Sequence, residues 1–523
     1  MGKYDLQNAA RHPVTIAVAL ALGGQTAHAT TFSVTTNADA GAGSLRQAII
    51  DANADPATPH VLDFSSISGQ TITLDSALPA IAVSVDFDGA DVTLQGNGNT
   101  CVSVPYVPYG PDIDLGVRDM TITGCTGTDD GYGYTRGGAI LGDQYGSVTL
   151  ERVTLTGNTA STGGAIRVAD MDLTILDSEI TNNTATEGFG GGINHTGATF
   201  VMERSTVTGN SAPQGSGGGI YTSKYGADIL DSTISLNSAG YSGGGLFSYQ
   251  KYENPTTILA NTTVTANTAG ENGGGALIYN GDTTYDMTTS LSQVTIAANS
   301  AGGVGGGVLL SQYYGPTHNA SISNAIVTAN TAAGAASDFE GEQVGGGDRG
   351  EWRLGGRSLE ERTRDFKPRF QNLEIPTLAI DPPRGSVPVT VDVLFSVLGT
   401  LPATPLTLTT DPATDAVVGS DPGLGPLQDN GGPTPTHDIA LDGSALDLIP
   451  DGINGCGTVL TTDQRGIERP FGGVSCDAGS LEKGALGTIG VPTMNRFGLM
   501  LMGLGLGLMA WFGLRRRERQ NTA

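Results

Sequence analysis

Between residues 120 and 335 the chain repeats one arrangement of apolar and polar positions, each unit ending near an asparagine: Asn158, Asn183, Asn210, Asn237, Asn267, Asn299 and Asn330. Three residues before each asparagine stand Leu155, Ile180, Val207, Ile234, Val264, Ile296 and Val327. Eight before it stand Leu150, Ile175, Met202, Ile229, Leu259, Leu291 and Ile322. Five before it the residue is small or apolar, from Val153 and Ser178 through Thr262 to Ala325. A step of two between the fifth and third positions is the alternation of a strand. The eighth position belongs to the same strand region, offset by a bend or bulge. Columns conserved in kind from unit to unit are what a narrow interior demands when each coil sits on its predecessor, about 4.8 Å away.

Each unit also carries a glycine cluster before an apolar residue, as in Gly163-Gly164-Ala165-Ile166 and Gly217-Gly218-Gly219-Ile220. A coil must turn within one or two residues, and positive φ there is sterically cheap for glycine. The asparagine amides are expected to bond within and between coils as a ladder. The predicted fold is therefore all-β: a right-handed, single-stranded parallel β-helix. A short helix from Leu45 to Ala54 is expected to cap its amino end, and a transmembrane helix is expected near the carboxyl end.

Six residues before the asparagine, Arg152, Asp177, Arg204 and Asp231 alternate in charge. In a stack they would lie on one face and help to fix register. Four cysteines fall in two local pairs, Cys101 with Cys125 and Cys456 with Cys476. Two disulfides are the natural reading in an exported chain; unlinked thiols are the alternative. Glycine is abundant, 79 of 523 residues, without a Gly-X-Y period, so collagen is excluded. The balance of 26 basic against 52 acidic residues, net −26, argues against nucleic acid as a partner. It leaves calcium as a compatible cation, although neither an EF-hand loop nor a Gly-Gly-x-Gly-x-Asp repeat occurs. No cofactor is called for by any motif.

The two ends read as targeting segments. Residues 1–29 carry Lys3 and Arg11, an apolar run from Val14 to Gly24, and Ala27-His28-Ala29 as a signal-peptidase site. Near the other end, residues 497–514 are apolar and are followed by Arg515, Arg516 and Arg517. As a helix this run spans about 27 Å, enough to cross a bilayer, with the arginines on the cytoplasmic side. The chain thus divides into a signal peptide (1–29), a cap with first coils (30–119), regular repeats (120–337), an atypical stretch (338–408), a further segment (409–484) and a sorting tail (485–523). The atypical stretch is set apart by Arg349, Arg353, Arg357, Arg362, Arg364 and Arg369 in a chain otherwise poor in arginine.

Several of these motifs resemble known families. The glycine-rich starts with terminal asparagines are similar to the repeats of polymorphic outer-membrane and autotransporter passengers, with Leu155, Ile180 and Val207 where those repeats carry phenylalanine. Thr31 to Asn53, with Ser44-Leu45-Arg46-Gln47-Ala48-Ile49, resembles the segment that caps many exported β-solenoids. Asp429 to His437, Thr462-Asp463-Gln464-Arg465-Gly466 and Cys476 to Glu482 resemble a choice-of-anchor Q domain. Val491-Pro492-Thr493, the apolar helix and the basic tail resemble the IPTL-type sorting signal, with Met494 to Phe497 departing from its usual letters. These resemblances imply export in a Gram-negative bacterium, processing by an exosortase-type system, and residence at the cell surface or outside it.

Function is less legible. Right-handed β-helices include polysaccharide lyases and glycoside hydrolases, whose chemistry needs convergent carboxylates or carboxylate-bound calcium with a basic residue. The candidates are Asp143, Asp170, Asp172 and Arg167 in neighbouring units, but their spacing is not distinctive and fold analogy alone is a weak warrant. Tyr221, Tyr225, Tyr241, Tyr249, Tyr252 and Tyr279 follow the glycine clusters and suit stacking on sugar rings or simple coverage of the coil. The expectation is a non-enzymatic structural or adhesive surface protein, with extracellular polysaccharide or other surface proteins as partners. A carbohydrate-binding module or a polysaccharide-degrading enzyme is the alternative.

Overall fold

A computed structural model describes residues 30–55, 59–129, 131, 133–250, 255–281, 286–312, 318–333, 338–343, 389–399, 406–410, 417–459, 461–471 and 475–483. The expected signal peptide, the apolar run 497–514 and the sorting residues Val491, Pro492, Thr493 and Arg515 to Arg517 lie outside them. Among the described residues no helix is long and apolar enough to cross a membrane.

The chain forms an all-β, right-handed parallel solenoid of about ten turns. Three parallel sheets wrap its interior, here called I, II and III, with 22, 9 and 7 strands among the described residues. The apolar columns stack rung on rung in sheet I. Leu155 pairs with Ile180, Ile180 with Val207 and Val207 with Ile234. Leu150 pairs with Ile175, and Ile175 with Met202. All of these side chains are buried. The offset between the two columns has a definite cause. The residue six before the asparagine takes a left-handed backbone, with φ of 55° at Arg152, 49° at Asp177 and 47° at Arg204, and so turns the strand at a corner. A second left-handed corner precedes the asparagine, at Gly157, Asn182 and Gly209.

The asparagines lie inside, not on the surface. Asn183 Nδ2 donates to Leu155 O at 2.9 Å and to Asn210 Oδ1 at 3.0 Å, while its backbone N–H donates to the same Asn210 oxygen at 3.0 Å. The pattern repeats from Asn158 to Asn330. Cys125 N closes one end on Asn158 Oδ1, and Asp338 Oδ1 closes the other by accepting from Asn330. A serine ladder runs beside it, with Ser205 Oγ accepting from Ser178 N and Ser232 Oγ from Ser205 N. Buried polar groups at a corner are thus paired across coils, which removes the cost of burying them.

The first glycine of each cluster has φ between 59° and 69° from Gly137 to Gly305. The second faces a crowded neighbour: a Cβ added at Gly164 would lie 2.0 Å from Gly191 O. One glycine supplies the turn and the next allows the coils to approach.

The helix α1 (Leu45–Ala54) closes the amino end, with Ser44 Oγ accepting from Gln47 N as its N-cap. Its buried side Leu45, Ala48, Ile49 and Ala52 joins the main core. Cys101 and Cys125 form a disulfide, with Cα atoms 5.8 Å apart, and Cys456 and Cys476 form another. At the other end the stack outlasts the regular repeat. Phe339–Gln343 pairs with Val308–Gln312 in sheet II, and Val389–Leu394 pairs with His318–Ser323 in sheet I. The atypical stretch 338–408 therefore contributes rungs on both sides of residues 344–388.

Candidate functional site

The segment from Asp421 to Lys483 carries little regular structure of its own, two short antiparallel pairs. It lies as a second layer on sheet I. Beneath it are the outward positions four and two before each asparagine, which are threonine or serine in the rungs it covers first. Thr233 Oγ1 donates to Pro435 O at 2.6 Å. Thr263 Oγ1 donates to Gln464 Oε1 at 2.7 Å, and Gln464 Nε2 returns a bond to Thr233 Oγ1 at 2.8 Å. Ser480 N donates to Thr295 Oγ1 at 3.0 Å, and His437 Nε2 lies 2.9 Å from Thr265 Oγ1. At the corner, Asn261 and Asn324 donate to Thr462 O and Asn454 O. Farther along, Ile326, Phe395 and Val397 pack with Ile439, Ala445, Ile449 and the Cys456–Cys476 disulfide.

This layer is locked by buried charges. Arg469 Nη1 lies 3.3 Å from Glu482 Oε2, both side chains nearly inaccessible, and Arg465 is held by Asp463 at 2.7 Å. Burial pushes the Glu482 carboxyl up to about 7 despite the Arg469 charge. Burial likewise raises Asp477, and lowers Arg469 from its ordinary value. Asp231, under the edge of the layer, is raised to about 6 by desolvation, against a hydrogen bond from Asn261. These residues bolt the segment down; Glu482, Asp477 and Asp463 accept bonds from within the fold, and Arg469 Nε is buried without a hydrogen-bond partner. A cleft of about 590 Å³ between the last rungs and the start of the layer, lined by Thr328, Asn330, Asp338 and His437, is built from groups already engaged.

The alternating charge column pairs in twos. Arg152 holds Asp119 through two bonds, at 2.6 and 2.9 Å, and Arg204 holds Asp177 at 2.7 and 3.0 Å. These pairs are substantially exposed, so each contributes about 0.2–1 kcal/mol.

Of the four candidate catalytic residues the structure brings Asp143 and Arg167 together, while Asp170 and Asp172 have contacts of their own. Asp143 lies between Arg136 and Arg167, 3.7 Å from each guanidinium. Asp170 pairs instead with Lys224, and Asp172 Oδ1 accepts from Thr199 N at 2.8 Å. Among the described residues no group of three His, Cys, Asp or Glu could hold a metal ion.

What sheet II brings together is aromatic. Its strands Ile166–Ala169, Ile193–Thr196, Ile220–Lys224, Leu246–Gln250 and Ala276–Asn280 stack in register, so Arg167, Asn194, Tyr221, Phe247 and Leu277 form one outward column. Phe189 stacks on Tyr221 with centroids 4.5 Å apart, and Tyr221 stacks on Phe247 at 5.4 Å. Two residues along the strand, Tyr249 stacks on Tyr279 at 5.4 Å. Phe189, Tyr221, Tyr249 and Tyr279 are half-buried, and burial pushes the Tyr221 phenol up. Tyr225 is exposed, Tyr241 is half-buried, and Tyr252 lies outside the described residues. Phe189 and Phe247 were missed in the sequence because attention to tyrosine alone hides a mixed Phe/Tyr column; counting one residue past each apolar inward position would have found Phe247.

The family model described as a right handed beta helix region matches residues 115–291, the part of the stack that carries the aromatic column and the asparagine ladder from Asn158 to Asn267. No curated protein and no solved structure matches the chain.

Proposed function

We propose that the chain is a non-enzymatic structural or adhesive β-solenoid of the cell surface, and that the outer face of sheet II holds extracellular polysaccharide. The observation that carries this reading is the stacked column Phe189–Tyr221–Phe247 with Tyr249–Tyr279 beside it. The rings stack on one another and Phe247 is buried, so the column turns ring edges and the hydroxyls of the half-buried Tyr221, Tyr249 and Tyr279 outward, apolar and hydrogen-bonding groups held at little entropic cost against a sugar. At its amino-terminal side the column continues into Asn194, which is buried and donates to Thr162 Oγ1 and Phe189 O, and Arg167, which lies 3.7 Å from Asp143. A solenoid repeats this surface along its axis, and an extended polymer is the partner that such a repeat suits.

In this reading the leader 1–29 exports the chain, and the tail 485–523 delivers it through the inner membrane to exosortase-type processing. The layer 421–483 covers the side of sheet I along the later rungs. The dispersal of Asp143, Asp170 and Asp172 into separate ion pairs and backbone bonds supports binding without cleavage. The test is to incubate the purified protein with acidic and neutral polysaccharides, with and without calcium. Co-sedimentation without new reducing ends or unsaturated products is expected for at least one polymer. Cleavage that is lost on removal of one carboxylate would replace this reading with an enzymatic one.

A further inference from the structure

The threonine face of sheet I continues beyond the point where the C-terminal layer ends. One outward column runs from Thr71 through Thr121 and Thr154 to Thr206, and a second, two residues along each strand, from Thr73 through Thr123 and Thr156 to Thr208. These side chains are exposed or half-exposed, whereas Thr233, Thr263 and Thr295 in the following rungs are buried under the layer. Strand propensity alone does not account for the composition. In the five rungs from Val85–Gln95 to Thr206–Thr208, threonine fills eight of the ten outward positions, Gln95 and Glu179 being the exceptions. Across the corner, the same rungs carry Asp86, Asp88, Arg118, Glu151 and Glu203 among their ten outward positions, and Thr149 and Thr174 are the only threonines there. One side of the corner is thus kept neutral and β-branched while the other is not. The corner itself makes no demand on a partner, because Arg152 and Arg204 are paired with Asp119 and Asp177 of their own chain.

The rungs repeat about every 4.8 Å, and alternate residues along a strand about every 6.6 Å, so the two columns form a rectangular grid some 24 Å long over six rungs. Each threonine presents a hydroxyl and a methyl on a side chain that is stiff at χ1. The stacked sheet holds them in place, so a partner orders little on binding. The covered rungs, continuous with this face, show that such hydroxyls take an outside partner at close range: Thr233 bonds Pro435 O at 2.6 Å and Thr263 bonds Gln464 at 2.7 Å. In the open stretch Thr181 Oγ1 donates to Thr156 Oγ1 at 2.9 Å, which leaves lone pairs on both oxygens for an outside donor.

We propose that this open threonine face binds the prism face of an ice crystal. The partner has to meet a neutral grid of hydroxyls and methyls in two directions at once. A polymer chain matches such a grid along one axis; a crystal surface matches it along both. Oxygens on the prism face of hexagonal ice repeat along two perpendicular axes, at spacings within about a tenth of the rung and alternate-residue spacings. Each of those oxygens both donates and accepts, as a threonine hydroxyl does. The methyls between the hydroxyls release water from apolar surface when the ice closes over them. The face is separate from the aromatic column of sheet II, and its test does not depend on polysaccharide binding.

The test is slow growth of ice from a dilute solution of the full chain, in a non-ionic detergent that shields the apolar run 497–514. The protein taken into the ice is compared with an unrelated globular protein in the same detergent, which measures passive trapping. Thr121→Lys and Thr156→Lys place cations on the face at outward positions; Thr149→Lys, across the corner, is the control. Far-ultraviolet circular dichroism and melting establish that all three fold. Enrichment in the ice roughly tenfold above trapping, lost in the two face variants and kept in the control, is the expected result. The habit of single ice crystals grown with the unaltered chain gives a reading that needs no variant: facets on the prism planes are expected. Uptake no greater than trapping, crystals that stay rounded discs, or uptake that both face variants leave unchanged overturns the proposal.

Discussion

Thr263 Oγ1 donates to Gln464 Oε1 at 2.7 Å across 201 residues of chain, and through this contact the C-terminal layer reads the rung on which it sits. The Gln464 amide nitrogen reaches Thr233 and Thr434 at the same time, at 2.8 and 2.7 Å. One side chain thus joins two rungs of the solenoid to two turns of the layer.

Replacing Gln464 with alanine removes its bonds to Thr263, Thr233 and Thr434, while Thr263 keeps Ser480, Thr233 keeps Pro435 O and Thr434 keeps Asp231 O. The expected cost is about 1–3 kcal/mol, seen as a lowered midpoint in urea. Limited proteolysis is expected to cut the variant first within 421–483, while the coils between Asn158 and Asn237 stay protected.

The asparagine ladder makes a sharper prediction. Asn210→Ala leaves Ile180 O and Asn183 N unpaired in the interior and is expected to destabilise by about 2–4 kcal/mol. Asn210→Asp keeps the acceptor and loses the donor while burying a charge, so it is expected to cost at least as much at neutral pH. Equilibrium denaturation of both variants checks the order.

Loss of the Cys101–Cys125 bridge releases a loop of 24 residues at the end of the stack. The expected cost is about 3 kcal/mol. Hydrogen exchange should show the opening confined to the rungs of Val85–Gln95 and Ile113–Thr123 that the bridge joins and those on their amino-terminal side.

Buried titrating groups act with opposite signs. Burial lowers His195 to about 4 and His318 to about 3. Their neutral forms contribute stability that is present above the ordinary histidine value and is lost as pH falls through the folded values. His195→Gln is expected to flatten the acid limb of a stability profile between pH about 6.5 and 4. Glu482 is raised to about 7, so its contribution is fullest below its unfolded value and fades as pH rises through 7. Glu482→Gln is expected to remove that loss between pH about 5 and 8. Thermal melts at stepped pH measure both.

The stack was legible in the sequence because every rung presents the same requirement: Leu155 and Val207 differ in size but meet one interior, and Asn183 repeats because its partner is another asparagine. The bend between the two apolar columns was visible only as an offset. Arg152 and Asp177 at the corner carry no glycine signature, since a left-handed backbone there is imposed by the stacked neighbours. The docking of Gln464 on Thr263 left no trace in spacing, because it joins segments 201 residues apart through ordinary polar side chains. The aromatic column was half legible: Tyr221, Tyr249 and Tyr279 stood out, but their stacking depends on coil lengths that bring Phe189 and Phe247 beside them.

The central claim is that the rings of sheet II hold a polysaccharide. It is tested most directly by the binding isotherm of the polymer retained in co-sedimentation, measured for the protein and for its Tyr221→Ala variant. Removing the ring from the middle of the column is expected to weaken binding about tenfold, the scale of one lost stacking contact, while the melting midpoint shows that the fold is kept. Equal affinity of the two proteins for that polymer would contradict the claim and return sheet II to a purely structural role.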